Sequence, residues 1–228
     1  MTGMQKTHGS EVFLAKDMRQ LEKHNFLKNK SFKFMKKAGH EVFRLIKKKY
    51  KKKQAAIVLC GPGNNGGDGF IVAGHLLKEG YNTKVYTLSQ KDKYTGDALL
   101  ALKNFKGQVK SISFLKIIPN SFIIDALFGI GLKRKIGGRL KNIIKLINKS
   151  NNSVLSIDIP SGISSNSGKV LGCAIKADFT VTFHRKKLGH ILSEGKKFSG
   201  KLQVVDIGFK DKKMKIQYKE NFPKLWLF

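Results

Sequence analysis

Acidic side chains are scarce in this sequence. Of 228 residues only 15 are Asp or Glu, against 45 Lys or Arg, which leaves a formal charge of +30. Arginine is scarcer still: Arg19, Arg44, Arg134, Arg139 and Arg185 are the five present, and the other 40 basic residues are Lys. Proteins that read bases or clamp phosphate usually draw on the rigid fork of Arg, whereas Lys is a hydrated point charge tolerated anywhere on a wet surface. The Lys residues are spread along the whole chain, so the charge reads as a drift of composition on an ordinary fold. Nucleic-acid binding is expected to be at most weak and electrostatic. The densest run, KKKYKKK at 47–53, follows an expected helix and reads as a solvated turn that complements the helix dipole.

Two cysteines, Cys60 and Cys173, lie far apart without metal-like spacing. They suggest neither a disulfide framework nor a thiolate metal centre, and both are expected to be reduced and structural. No apolar run is long enough to cross a bilayer, and the opening MTGMQKTHGSEV lacks the apolar stretch of a signal peptide. The expectation is a soluble, cytoplasmic protein with no membrane partner. With 41% apolar residues the chain can bury a real core.

Apolar spacing predicts two leading helices, Val12 to His24 and Ser31 to Lys49. Strand-sized runs follow at Ala55 to Cys60, Thr83 to Leu88, Ser121 to Leu127, Val154 to Ile159, Phe179 to Phe183 and Leu202 to Ile207. Helical stretches at Gly67 to Glu79, Gly96 to Phe105 and Gly138 to Lys149 alternate with the earlier strands, the pattern of an α/β fold with a mostly parallel sheet. Residues 106–120 fit no element clearly. In such sheets ligands sit beyond the carboxyl ends of the strands, and three loops there carry unusual chemistry.

The first loop is CGPGNNGGDGF, residues 60–70. Gly61, Gly63 and Gly66 fit G-x-G-x-x-G between a strand and a helix, yet no acidic residue follows at the end of the next strand to grip a ribose. Asn64, Asn65 and Asp68 exceed what a bare phosphate cradle needs, although a turn followed by a helix cap would also use such residues. The second loop, DALFGIGLKRKIGG, starts with Asp125 inside an apolar run, where a carboxylate calls for a cation. Gly129 and Gly131 allow close approach of a ligand, and Lys133, Arg134 and Lys135 suit phosphate oxygens. The third, SIDIPSGISSNSG, places Asp158 at a strand end as a candidate general acid or base, beside Ser161. Asn65, Asp125 and Ser161 form an oxygen set matched to a monovalent cation better than to zinc.

These motifs, GPGNNGGDG, DALFGIGL, DIPSGISSNSG and then ADFTVTFHRKKLGHILSEGKKFSGKLQVVDIG, resemble those of the NAD(P)HX epimerase family, also called the YjeF N-terminal domain family. The resemblance implies one domain of that type over residues 1–228, with a core of about 11–209 and a tail of 210–228. It implies a Rossmann-like three-layer α/β/α sandwich that interconverts the R and S forms of hydrated NADH and NADPH, a cofactor-repair isomerase. Asn64, Asn65, Gly66, Gly67 and Asp68 would line the substrate site. Gly129, Ile130, Gly131, Leu132, Lys133, Arg134 and Lys135 would contact the dinucleotide, and Asp158 the altered ring as catalytic residue. Asn65, Asp125 and Ser161 would hold K+. Relatives often fuse this domain to a dehydratase, for which 228 residues leave no space, so a separate dehydratase is the expected functional partner. A homodimer rests on the resemblance alone.

Lys187 stands where the family usually has a Lys, but as one of 40 it reads equally well as a surface residue. His184 is an acid/base candidate by type and reads as structural. Neither enters the catalytic set. The sequence departs from the family in FMKKAGHEV, where an acidic or neutral residue is usual before Ala-Gly, and in its charge. The alternative reading is a non-catalytic scaffold or nucleic-acid-binding module on the same fold. Asp125, Asp158 and the Asn pair favour catalysis, because a scaffold has no need of a carboxylate in an apolar strand.

Overall fold

A computed structural model describes residues 11–28, 31–210 and 218–219. Most of the tail lies outside the described residues. The central feature is a seven-stranded sheet built from β2 (Ala56–Cys60), β3 (Thr83–Thr87), β4 (Val109–Ser111), β5 (Phe122–Ala126), β6 (Ser153–Ile157), β7 (Phe179–Phe183) and β9 (Lys201–Val205). Their order is β4-β3-β2-β5-β6-β7-β9, and every neighbouring pair is parallel. As expected for strands covered on both faces, β2 and β5 are buried along their whole length.

Alternation along β2 sorts its side chains between two cores. Ala56, Val58 and Cys60 pack under the helices α2 (Phe32–Lys49), α3 (Asn64–Lys78) and α4 (Gly96–Asn104). Ile57 and Leu59 face the opposite side, where α5 (Gly138–Lys149) and the loops around Ile136 and Ile175 cover the sheet. Helix–sheet–helix makes three layers. The late strands β7 and β9 complete one edge, with little helix between them: the short α6 (Ser193–Phe198) and a 3-10 turn at Leu188–His190.

A second, three-stranded sheet lies beside the first. In it β1 (Glu11–Phe13) pairs in parallel with β8 (Lys186–Lys187) and antiparallel with β10 (Tyr218–Lys219). This corrects the first expected helix: residues 11–13 are strand, and α1 runs Ala15–Lys28. Two features stop the helix from extending backward. The Leu14 amide donates to the Asp17 carboxylate at 3.0 Å, and the Ala15 amide donates to the Asn166 side-chain oxygen at 2.8 Å. Other boundaries moved too: the strands expected at Val154 to Ile159 and Leu202 to Ile207 run Ser153–Ile157 and Lys201–Val205. Helix α3 begins at Asn64, three residues before the expected start, and residues 106–120 contain β4 and a 3-10 turn at Ile112–Phe114.

Lys47, Lys48 and Lys49 form the last turn of α2, as the dipole reading expects. Tyr50 anchors the run: it is buried, stacks on Phe122 with ring centroids 4.2 Å apart, and its hydroxyl meets the Ser153 hydroxyl at 2.8 Å. Both cysteines are free, and burial pushes the Cys60 thiol up, so it stays protonated.

Candidate functional site

Strand order reverses between β2 and β5, since β2 leads through α3 to β3 on one side while β5 leads through α5 to β6 on the other. That is the topological switch point of an open parallel sheet. The two loops leaving it touch backbone to backbone: the Gly61 amide donates to the Ala126 carbonyl at 2.9 Å. A Cβ on Gly61 would lie 1.8 Å from the Leu127 carbonyl oxygen, and one on Gly66 would lie 1.8 Å from that of Gly61. No side chain fits at either position, so glycine here sets how closely the first turn of α3 packs on both strand ends.

Above this junction opens a cavity of about 680 Å³. Of the residues singled out by sequence, Asn64, Asn65 and Asp68 of α3 and Asp158 line it. Gly129, Ile130, Gly131, Leu132, Lys133 and Arg134 of the loop after β5 do as well. Gly66, Gly67 and Lys135 do not. Gly66 faces the Gly61 carbonyl, a Cβ on Gly67 would meet Met35, and Lys135 lies against Gly172. Asp125 and Ser161 lie beneath the cavity wall, both fully buried.

Asp158 follows β6 directly, with φ of 68°, a left-handed conformation uncommon outside glycine. Its backbone is held on both sides: the amide donates to Val181 at 2.7 Å, and the carbonyl accepts from His190 Nε2 at 2.8 Å. Because His190 Nδ1 accepts from the Lys187 amide, its proton is on Nε2, and burial keeps the ring neutral with a pKa lowered to about 4. The Asp158 carboxylate accepts from Lys187 Nζ at 2.8 Å, Thr182 Oγ1 at 3.2 Å and the Ile130 amide at 3.1 Å. A Cβ on Gly129 would sit 2.7 Å from Asp158 Oδ2, so this glycine is what admits the carboxylate. Burial works to raise the Asp158 pKa, but the charge and hydrogen bond of Lys187, helped by His190 and Ile130, hold it below the usual range.

Lys187 is 1% exposed, which corrects the surface reading. Its ammonium places its three donors on Asp158, on Thr182 Oγ1 at 2.7 Å and on the Phe183 carbonyl at 3.2 Å. His184 is buried against the rings of Phe13 and Phe209, a packing role as expected.

Asp125 accepts four hydrogen bonds: from Ser161 Oγ at 2.6 Å, the Ser161 amide at 2.9 Å, Ser156 Oγ at 2.8 Å and the Leu127 amide at 3.2 Å. All four donors are neutral, and burial raises its pKa against them. Nearby, the Phe128 amide donates to Ser161 Oγ at 2.9 Å. Asn65 lies beside Gly129 with both amide atoms buried and without a hydrogen-bond partner. The orphaned Asn65 amide oxygen and a buried carboxylate whose donors are all neutral are the kind of oxygen ligands an alkali-metal ion takes.

Three further charged residues of the cavity wall were not singled out by sequence: Arg19 and Glu22 of α1 and Asp97 of α4. Arg19 ties α1 to the second loop by donating to the Ile130 carbonyl at 3.1 Å. Burial, followed by the charge of Asp158, raises Glu22 to about 7. Asp68 is raised well above its ordinary value, first by burial and then by Asp158 and Glu22. The signal that could have found these residues is scarcity: four of the chain's 15 acids face one cavity, and Asp125 lies under it.

The pattern of the family described as "YjeF-related protein N-terminus" matches residues 31–189. The NAD(P)H-hydrate epimerase of Oenococcus oeni is 36% identical over 169 residues, covering 72% of this chain and 80% of that protein. The bifunctional NAD(P)H-hydrate repair enzyme Nnr of Thermofilum pendens is 34% identical over 207 residues, 83% of this chain but 39% of that protein. The chain thus spans about two fifths of that longer relative. The crystal structure of the yeast protein ynu0 aligns with a TM-score of 0.69 at 22% identity, covering 91% of this chain and 98% of that one, a likeness of fold.

Proposed function

The chain belongs to the family of YjeF-related protein N-termini, and from that premise we propose that it is an isomerase that interconverts the R and S forms of hydrated NADH and NADPH. The observation that carries this reading is the buried pair of Asp158 and Lys187 at a strand end, opening onto a cavity at the switch point. A scaffold has no use for two charges buried at that cost. The hydrated nicotinamide ring lies over Asp158, with Asn64, Asn65 and Asp68 around it. Gly66 and Gly67 keep the first turn of α3 close to the sheet, and Gly129, Ile130, Gly131 and Leu132 offer backbone to the dinucleotide. Lys133, Arg134 and Lys135 supply positive charge for its phosphates.

Asp158 is the catalytic base. Its depressed pKa keeps it ionised at neutral pH, and it takes a proton from oxygen at carbon 6 of the ring, while Lys187 holds the carboxylate in place. Asn65, Asp125 and Ser161 would hold K+. When bound, the ion supplies fixed positive charge that balances Asp125 beneath the cavity. The chain acts as a single unit of this family in the cytoplasm, paired with a second copy of itself, and a separate dehydratase consumes one epimer. Its Lys-rich surface binds nucleic acid only in a weak, salt-sensitive way.

Asp158→Asn is expected to lower kcat by about 10²–10⁴-fold while the circular dichroism spectrum stays that of the wild type. The assay follows one purified epimer of hydrated NADPH toward equilibrium, with the uncatalysed rate subtracted. Full activity in this variant would remove Asp158 from the mechanism.

A further inference from the structure

Granted the epimerase reading, on which this inference rests, the acids of the cavity bear on how the hydroxyl at carbon 6 leaves. The chain carries three basic residues for every acidic one, yet one cavity takes Glu22, Asp68, Asp97 and Asp158 beside Arg19, Lys133, Arg134 and Lys187. Asp158 is engaged with Lys187. Glu22 makes no hydrogen bond or ion pair with any described residue, and it reaches the cavity from α1, a different wall from the β6 end that carries Asp158. Asn65, on the α3 wall of the same cavity, has both amide atoms buried and unpartnered; with its oxygen turned to the proposed ion, its Nδ2 is left for a polar ligand.

The place of the proton decides between two routes. Opening the ring at its carbon–nitrogen bond needs a proton on the ring nitrogen, whose lone pair is conjugated with the ring double bond and the carboxamide and is therefore a poor acceptor. Losing the hydroxyl needs a proton on its oxygen, whose lone pairs are free, and a base for the water that returns; Glu22 and Asp158 stand on two walls of the cavity for those two tasks. We propose that Glu22 is the general acid that protonates the carbon 6 hydroxyl, so that the epimers interconvert by loss and return of water with the ring kept closed.

In this step the Glu22 proton goes to the hydroxyl oxygen, the carbon–oxygen bond breaks, and water departs. The lone pair of the ring nitrogen forms the second bond to carbon 6, giving an iminium cation beside the new Glu22 carboxylate. A water then adds to the other face of carbon 6 and gives its extra proton to Asp158. The reverse direction exchanges the two roles. The groups that act on Glu22 are Asp158 after β6, Lys187 of β8, Arg19 on its own helix and Asp68 of α3. Burial and Asp158 outweigh Lys187 and Arg19, so Glu22 carries a proton when Asp158 has none, the division of labour required of an acid and base in one site.

The experiment runs the wild-type protein in water labelled with oxygen-18 and reads the label in each epimer by mass spectrometry, with the uncatalysed exchange subtracted. One label per epimerisation is expected; ring opening would retain the original oxygen, and retention would overturn the proposal. Glu22→Gln is expected to lower kcat by about 100-fold or more with KM changed less than a few-fold, and to lose the fall in rate above about pH 7 that is expected of the wild type. Glu22→Asp, which keeps the acid, is expected to recover part of the rate. Wild-type kcat in a folded Glu22→Gln protein would overturn the role of Glu22 alone. If the wild type failed to speed epimerisation at all, the epimerase reading would fall, and this proposal with it.

Discussion

Burying an ammonium and a carboxylate side by side costs several kcal/mol per ion before their attraction is counted, and Lys187 with Asp158 meets that cost through complete hydrogen bonding. Glu22 sits in the opposite condition. It holds its proton to about pH 7 in the folded chain but would release it near 4.5 once unfolded. Its contribution is therefore intact below pH 4.5 and lost as pH rises through 7, on the order of 3 kcal/mol by linkage. Asp158, with its lowered pKa, runs the other way: its stabilisation is present above the ordinary carboxylate value and lost as pH falls through the folded one. Glu22→Gln should therefore melt with the wild type at pH 4 and several degrees above it at pH 8, as differential scanning calorimetry would show. A variant slower in turnover but harder to unfold in alkali is the signature of a residue kept for chemistry. At this scale the sequence was only partly legible. Asp158, Asp125 and Asn65 stood out because polar groups beside apolar runs need a reason. Lys187 did not, being one of 40, and Glu22 lies on a helix with no local mark of a site.

At the scale of elements, the first turn of α3 against the β2 and β5 ends is set by contacts without side chains. Gly66→Ala forces a Cβ to 1.8 Å from the Gly61 carbonyl and should cost more than about 4 kcal/mol, in the extreme tail of single substitutions. Gly74→Ala, on the same helix with nothing within 4 Å of its Cβ, should instead stabilise by about 1 kcal/mol through helix propensity. Urea unfolding of the two variants would separate close packing from glycine content. The parallel strands were readable because their apolar runs are bounded by turn residues. The strands β1 and β8, with three and two residues, are too short to show a period, and only their pairing reveals them. Helix α3 started early because Asn64 and Asn65, which read as loop residues, take helical positions after the extended Gly63.

Across the whole molecule, a charge of +30 makes the chain repel itself at low salt. Raising ionic strength should raise the melting temperature with any monovalent salt. The proposed ion site adds a specific term: at matched ionic strength KCl should stabilise more than choline chloride, by about 2.7 kcal/mol at one hundred times the dissociation constant. Asp125→Asn should erase that difference in a thermal melt, without reference to turnover. Because β1 pairs with β8, and Glu11 bonds to Arg185 next to it, the segment leading into α1 is strapped to the strand that bears Lys187. The acid of one wall and the ammonium of the other hang from a common tether, and its first half precedes the stretch at 31–189 that carries the family pattern. Clipping the chain ahead of residue 15 would spare the layered sandwich and silence it.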